Sequence, residues 1–152
     1  MNNEELVLKN TIYASGFLFY INKSHDSYLY KYLKNYNING NEYSFLLYLY
    51  HNNGSTQSDI VESFKIPKSQ VSRSFKKMEE KKLIIRKVNE TNKKFYKIYL
   101  TPKSIEIIKV LSQAEERWSK MFFSEIDPDE KKARKMLTKV TIKALDFTEK
   151  NR

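Results

Sequence analysis

The sequence predicts a mainly α-helical chain that carries one small β-hairpin. Apolar residues recur at three- and four-residue spacing through most of the 152 residues, which is the period of a helix with one buried face. Period-two alternation is confined to the two arms of LIIRKVNETNKKFYKIYLT, residues 83 to 101. Helix start and stop signals divide the remainder. The predicted order is helix, helix, short helix, basic helix, hairpin, helix, helix.

The first two helices are predicted over residues 4 to 36 and from residue 39 onward. Within the first, the polar stretch SHDS at 24 to 27 suggests an interruption. Asn39 and Glu42 have the spacing of a capping box, in which each side chain satisfies a free backbone N–H of the other residue. Asn52 and Gly54 end this helix, because both residue types tolerate the left-handed conformation that follows a helix.

A short helix and a basic helix follow. Thr56 with Asp59 forms a second capping pair, and Pro67 suits the first turn of the next helix, where a missing N–H costs little. The spacing of Val71, Phe75 and Met78 predicts the buried stripe of that basic helix. The polar residues left pointing away from the stripe are Ser69, Gln70, Ser72, Arg73 and Lys76.

Two more helices are predicted after the hairpin. Pro102 opens the first of them. The sequence DPDE at 127 to 130 begins the second, with Asp127 as the cap and Pro128 at the first helical position. The last helix carries a stripe of small and apolar residues: Ala133, Leu137, Val140, Ala144 and Phe147. No repeat or low-complexity linker divides the chain, so we expect one domain over residues 1–152.

Composition excludes several classes of protein. No uncharged apolar run reaches the length of about 18 residues that spans a membrane, and the first ten residues carry acids where a secretory signal carries lysines. Cysteine is absent, which leaves no disulfide framework or thiolate metal site. We therefore expect a cytoplasmic protein without a membrane partner.

Enzymatic and metal-binding functions find little support in the residue pattern. The only histidines, His25 and His51, lie 26 positions apart without a second ligand at helical metal-site spacing, and we expect both to be exposed at loop ends. The less favoured alternative is a zinc or manganese site in which the fold brings Asp26 or Glu42 close to a histidine. Glu115 and Glu116 are interpreted as a solvated helix face. We expect no enzyme activity, no cofactor and no metal.

The net charge of +10 lies in one quarter of the chain. Residues 65 to 103 hold thirteen Lys or Arg and three acids, while the remainder of the chain is balanced. An evenly spread excess would be an ordinary solvated surface. Its concentration around the basic helix and hairpin instead predicts a surface that binds a polyanion.

A short helix, a turn and a second helix with small polar and Arg side chains form the helix-turn-helix arrangement, whose second helix enters the major groove of DNA. Ser and Gln can hydrogen-bond base edges, Arg can pair with guanine, and lysines bind phosphates. We therefore predict double-stranded DNA as the partner. The candidate contacts are Lys68, Ser69, Gln70, Ser72, Arg73, Lys76 and Lys77 on the basic helix, Arg86, Lys87, Lys93 and Lys94 on the hairpin, and Thr56 and Gln57 at the DNA backbone.

The chain resembles the MarR group of winged helix-turn-helix transcription regulators. The resemblance is carried by TQSDIVESFKIPKSQVSRSFKKMEEKKLI at 56 to 84 and by YLT at 99 to 101, where the hairpin ends. It implies a winged helix-turn-helix DNA-binding lobe over residues 39–101, flanked by long N- and C-terminal dimerisation helices at 1–36 and 102–152. A homodimer then places two lobes in successive major grooves. The alternative is that the flanking helices form the core of a monomer.

Two positions depart from the family pattern. Asn92-Lys93-Lys94 replaces the Asp-x-Arg that stiffens the wing in many relatives, and lysine fits a narrow minor groove less well than arginine. Lys82 occupies the place of a glycine that turns the recognition helix into the first strand. We therefore expect the wing to contact mainly phosphates and the helix to determine sequence preference.

Aromatic residues on three helices suggest a second site. By resemblance, the junction between the dimer region and the DNA lobe can bind a small aromatic effector, although an aromatic stripe is also ordinary core. The candidate effector residues are Tyr13, Phe17, Tyr20, Tyr43 and Trp118. The resulting hypothesis is a dimeric, sequence-specific repressor of a palindromic operator that an effector releases. The alternative is an architectural DNA-binding protein with little sequence preference.

Overall fold

The computed structural model describes residues 2–10, 13–88, 95–124 and 129–150. It confirms a mainly helical fold with a small antiparallel hairpin. The chain divides into two compact units, Met1–Glu115 and Glu116–Arg152. In chain order the elements are α1 (Asn3–Asn10), α2 (Ala14–Leu33), a 3-10 turn (Lys34–Tyr36), α3 (Gly40–His51), α4 (Gln57–Phe64), α5 (Lys68–Glu80), β1 (Ile84–Val88), β2 (Tyr96–Leu100), α6 (Pro102–Phe123) and α7 (Glu130–Lys150).

Both predicted capping boxes are present. The Glu42 backbone N donates to Asn39 Oδ1 and the Asn39 backbone N donates to Glu42 Oε2, each at 2.9 Å. The Thr56 backbone N donates to Asp59 Oδ2 at 2.7 Å, and the Asp59 backbone N donates to Thr56 Oγ1 at 3.3 Å. Pro67 lies one position earlier than predicted, as the extended residue before α5. The sequence therefore determines where α3 and α4 begin.

The predicted interruption of the first long helix at residues 24 to 27 is wrong. α2 runs continuously from Ala14 to Leu33. The stretch contains no Gly or Pro, and helical geometry buries Leu29 and Leu33 further along the same helix. Polar residues of weak helix propensity cost too little to break a helix whose other face is packed.

The core of the first unit joins α3, α4 and α5. The ring of Phe45 on α3 packs edge-on against Phe64 of α4, with centroids 5.0 Å apart, and against Phe75 of α5 at 5.9 Å. Fully buried apolar side chains from all three helices surround this cluster, including Leu46, Leu49, Ile60, Val71 and Met78. The packing fixes the orientation of α5 against α4, as a helix-turn-helix requires.

Both strands of the predicted hairpin are present, and a further extended segment pairs with one of them. β1 and β2 pair in antiparallel register from Ile84 opposite Leu100 to Val88 opposite Tyr96. On the other edge of β2, Ile98 donates to the Ser55 carbonyl at 2.9 Å and accepts from the Gly54 N–H at 3.0 Å. This short extended segment ties the start of α4 to the hairpin. The predicted polar tip, which includes Lys93 and Lys94, lies outside the described residues.

The turn from α5 into β1 adopts a left-handed conformation at Lys82, where φ is +57°. The Leu83 N–H donates to the Met78 carbonyl at 2.8 Å, closing the end of the helix. Thr101 Oγ1 donates to the Lys82 carbonyl at 2.9 Å, and Ser104 Oγ donates to the Leu83 carbonyl at 2.7 Å. Residues at the start of α6 thus hold a turn that lacks the glycine it favours.

The second unit contains the last turns of α6 and all of α7. The rings of Trp118 and Phe122 stack with centroids 5.1 Å apart, and the Arg134 guanidinium lies 4.1 Å from the Phe123 ring centroid. The predicted cap at Asp127 and Pro128 lies outside the described residues. Among the helices that the structure describes, none is both long and apolar enough to cross a membrane.

Candidate nucleic-acid interface

α5 presents one buried and one exposed face, as its sequence predicts. Val71, Phe75 and Met78 have no exposed surface. The candidate contact residues Lys68, Ser69, Ser72, Arg73, Lys76 and Lys77 are exposed, and Gln70 is partly exposed. Arg73 Nε donates to the Ser69 carbonyl one turn earlier, at 3.3 Å, so its guanidinium lies along the exposed face. The exposed face therefore carries hydrogen-bond donors and positive charge without apolar side chains.

A buried ion pair fixes the C-terminal end of α5. Lys81 Nζ lies 2.8 Å from both carboxylate oxygens of Glu42, whose side chain is only 1% exposed. Glu42 also closes the capping box of α3, so its oxygens accept from Asn39 and Lys81 together. Because a buried carboxylate requires such partners, this contact holds α5 against the start of α3.

Thr56 and Gln57 lie at the junction of α4, α5 and the hairpin. The Thr56 hydroxyl serves the capping box, and Thr56 pairs with Lys97 in an isolated antiparallel bridge. Gln57 Nε2 lies 3.4 Å from the Lys68 carbonyl, a long hydrogen bond that joins the start of α4 to the start of α5. Both residues thus have structural roles besides any contact with DNA.

The two basic residues of β1 face opposite sides of the hairpin. Arg86 is partly buried, and its Nη2 lies 3.0 Å from Glu79 Oε2 near the end of α5. Lys87 is exposed, lies opposite Lys97 in the register, and places its Nζ 5.3 Å from the Tyr99 ring centroid. The structure therefore brings Arg86 to α5, while Lys87 lies on the outer face of the hairpin.

Sequence reasoning missed three residues in this region. Ser58 lies between the capping residues Thr56 and Asp59 of α4, Glu79 pairs with Arg86, and Lys97 lies opposite Lys87. Lys97 could have been identified from the sequence. Two strands of equal length on either side of the hairpin tip define which residues lie opposite each other, and this places Lys97 opposite Lys87. The Glu79 contact joins a helix to a strand and has no signal in sequence spacing.

The five candidate effector residues occupy different environments. Tyr13 and Phe17 are 77% and 48% exposed, and Tyr20 is partly exposed. Tyr43 is buried in the core of the first unit, and Trp118 belongs to the second unit. Burial raises the pKa of the Tyr43 phenol, and the nearby Glu115 carboxylate raises it further. Tyr43 is therefore a neutral, buried phenol at physiological pH.

The expectation of an exposed, loop-end His25 is wrong. His25 lies inside α2, is partly buried, and places Nε2 2.9 Å from Glu115 Oε2 on α6. Glu115 is accordingly more than a solvated helix residue, whereas Glu116 pairs with Lys120 on the surface at 2.9 Å. His51 is exposed at the end of α3, as predicted. Among the residues that the structure describes, no three His, Asp or Glu side chains group as metal ligands.

Comparison with known proteins gives one family and one named relative. The model of the MarR family matches residues 36–94, from the 3-10 turn to the hairpin. An uncharacterised HTH-type transcriptional regulator of Bacillus subtilis, YybA, is 26% identical over 98 residues. That match covers 64% of this chain and 65% of the relative, slightly less than two thirds of its length.

Solved structures share the fold over nearly the whole chain. The crystal structure of MarR has a TM-score of 0.79 at 25% identity and covers 99% of this chain and 98% of that one. A MarR transcriptional regulator from Methanosarcina mazei Go1 has a TM-score of 0.79 at 21% identity, covering 88% and 96%. MepR of S. aureus, in complex with DNA, has a TM-score of 0.77 at 22% identity, covering 90% and 99%.

Proposed function

We propose that this chain is a dimeric transcriptional regulator of the MarR family that binds double-stranded DNA through α5 and the hairpin, since the family model matches residues 36–94 and a transcriptional regulator is 26% identical to it. One observation carries the proposal. α5 buries Val71, Phe75 and Met78 completely and exposes polar and basic residues on its other face, within the segment that holds the chain's entire excess charge. The named relatives, which are transcriptional regulators, support the expectation that the chain is not an enzyme.

Base recognition falls to the first turns of α5. Ser72 and Arg73 lie one helical turn after Ser69 on the exposed face, so the three side chains are neighbours near the start of the helix that enters the major groove. Arg73 pairs with the two acceptors of guanine, and the serines hydrogen-bond base edges or phosphates. Lys68, Lys76 and Lys77 then bind the flanking phosphates. These contacts supply most of the part of the affinity that decreases as the salt concentration rises.

The exposed apolar residues support a homodimer. On α7, Met136, Leu137 and Val140 are 62%, 36% and 48% exposed, and on α2 Phe17 and Phe19 are 48% and 58% exposed. Apolar surface on this scale favours burial against another protein. A second copy of this chain is the partner we propose, with residues 1–36 and 102–152 forming the interface and residues 39–101 the DNA-binding lobe.

A two-fold symmetric dimer binds a palindromic DNA sequence. When such a sequence lies in a promoter, the bound dimer prevents RNA polymerase from binding there. We therefore propose that the protein is a repressor that acts in the cytoplasm. A small aromatic ligand near the buried Tyr43 would bias the distance between the two copies of α5 and release the operator. The candidate ligand residues remain Tyr13, Phe17, Tyr20, Tyr43 and Trp118.

An architectural function is the second candidate. The concentration of thirteen basic residues between positions 65 and 103 would bind any DNA backbone, with or without base recognition. The two functions differ in the ratio of specific to non-specific affinity.

Selection of binding sites from a randomised duplex library at near-physiological salt separates the two functions. The purified protein is expected to enrich an inverted repeat whose half-sites lie about one helical turn apart. Retention of DNA without an enriched motif would support the architectural function, and the absence of DNA retention would contradict both.

A further inference from the structure

A cleft of about 170 Å³ lies between α4, the start of α5 and the hairpin. Ser58 and Gln57 of α4, Lys68 of α5, and Arg86 and Tyr96 of the hairpin are among the residues that line it. We call it the α4–hairpin cleft. It adjoins the exposed face of α5 at Lys68, so DNA that contacts this face also passes the cleft.

The chemistry of the α4–hairpin cleft suits an anion. Two of the side chains that line it, Lys68 and Arg86, are cationic, and none of its described lining residues is acidic. Ser58 and Gln57 add a hydroxyl and an amide that can donate hydrogen bonds. Two cations with neutral donors between them are the usual surroundings of a bound phosphate group.

Arg86 is held in place with part of its hydrogen-bonding capacity unused. Its Nη2 contacts Glu79 Oε2 at 3.0 Å, whereas its Nε is buried and has no hydrogen-bond partner. A guanidinium carries five N–H donors in a rigid plane, so one edge can bind a carboxylate while another binds a phosphate. A phosphate in the cleft would offer the acceptors that this side chain lacks, after a small rotation of the guanidinium.

Glu79 occupies an electrostatically poor position. It lies in the last turn of α5, where the helix dipole disfavours an acid, and on a helix proposed to face a polyanion. Its side chain is 34% exposed and forms an ion pair with Arg86. A role in orienting Arg86 explains an acid at a position where repulsion alone would disfavour it.

We propose that the α4–hairpin cleft binds one phosphate group of the DNA backbone, with Arg86 and Lys68 as its cationic ligands and Glu79 as the positioning residue of Arg86. This inference rests on the proposed function, since it assigns a single phosphate to a particular place in the interface. Ser58 and Gln57 complete the ligand set. The site fixes the rotation of the lobe about α5 and so determines which base pairs Arg73 reaches.

The test measures the affinity of the full-length protein for a fluorescent duplex at several salt concentrations, with the selected inverted repeat or, without one, a random duplex. Arg86→Gln should weaken binding about tenfold, because a charge-assisted hydrogen bond is lost. It should also reduce the slope of log affinity against log salt by about 0.9 for each bound copy. Arg86→Lys keeps the charge without the planar fork and should recover only part of the affinity.

Glu79→Gln distinguishes positioning from simple charge. Removal of an acid near DNA ordinarily strengthens binding, whereas loss of the positioning contact should weaken it about threefold to tenfold. Glu80→Gln removes the same charge from the next, exposed residue and should leave binding equal or tighter. If Glu79→Gln and Glu80→Gln both strengthen binding to the same extent, the positioning role is wrong.

Phosphate ethylation interference locates the contact independently of folding. The wild-type protein should show one phosphate per half-site whose interference disappears in Arg86→Gln, with the other positions retained. Interference that stays the same at every phosphate in Arg86→Gln would overturn the assignment. A wild-type protein that binds no duplex at low salt contradicts the proposed function itself, whereas wild-type binding with unchanged variants contradicts only the α4–hairpin cleft.

Discussion

The buried ion pair between Glu42 and Lys81 should make a large contribution to the stability of the DNA-binding lobe. Lys81→Met removes the ammonium group from the Glu42 carboxylate, which is 1% exposed and still accepts a hydrogen bond from the Asn39 N–H. Breaking a buried pair by removing one partner costs about 3–5 kcal/mol. Because the Lys81 side chain is 25% exposed and solvent already screens it, we expect a loss of about 2–3 kcal/mol.

Urea unfolding followed by far-UV circular dichroism, at one fixed protein concentration, measures this loss. For a chain of this size it corresponds to a decrease in Tm of roughly 5–10 °C. Lys109→Met is the matched control, since Lys109 forms an equally short pair with Glu106, at 2.8 Å, on the exposed surface of α6. The control should leave the unfolding midpoint unchanged.

The double variant Glu42→Gln with Lys81→Met tests the cause. Glutamine keeps the acceptor that the capping box uses and removes the buried charge, so the double variant should be more stable than Lys81→Met alone. If Lys81→Met unfolds at the same urea concentration as Lys109→Met, the reasoning from burial is refuted.

Three further predictions concern positions that the fold constrains. Lys82→Gly should raise the free energy of unfolding by about 0.5 kcal/mol in urea titrations, because glycine relieves the left-handed strain at φ +57° at some cost in chain entropy. Gly54→Ala should lower it by about 1–2 kcal/mol, since φ is +83° and a Cβ would lie 3.3 Å from the Tyr99 ring; an unchanged midpoint would contradict this geometry. Burial raises the pKa of Tyr43 above the ordinary value of 10.0, so the phenol loses its proton at lower pH in the unfolded chain than in the folded chain. The contribution of neutral Tyr43 to the free energy of unfolding is therefore fully present below pH 10 and is lost as the pH rises through the pKa of the folded state. Unfolding measured between pH 9 and 11 should therefore show a shallower decline in Tyr43→Phe than in the wild-type protein, and equal slopes would contradict it.

Local signals in the sequence predict much of this fold. The capping pairs at Asn39 and Thr56 act over three residues, and the stripe of Val71, Phe75 and Met78 follows helical periodicity, so both can be identified without tertiary information. The turn at Lys82 could also be predicted, because many members of the family that this chain resembles have a glycine at this position.

The contacts that position the site could not be predicted in this way. Glu42 with Lys81, Arg86 with Glu79, and His25 with Glu115 each join different elements of the fold. The first and last pairs lie 39 and 90 residues apart in sequence. The interruption expected at residues 24 to 27 failed for a related reason, since packing of α2 outweighs weak local propensity.

The most direct test of sequence recognition by α5 compares the affinity for a specific duplex with the affinity for a non-specific duplex, in the wild-type protein and in two variants. Binding to the selected duplex and to a scrambled duplex is measured for the wild-type protein, Arg73→Ala and Lys76→Ala at one salt concentration. Arg73→Ala is expected to reduce the ratio of specific to non-specific affinity about tenfold to a hundredfold, because a bidentate base contact is lost. Lys76→Ala should weaken both duplexes alike, as a phosphate contact does. Equal losses on both duplexes for Arg73→Ala would contradict base recognition by α5.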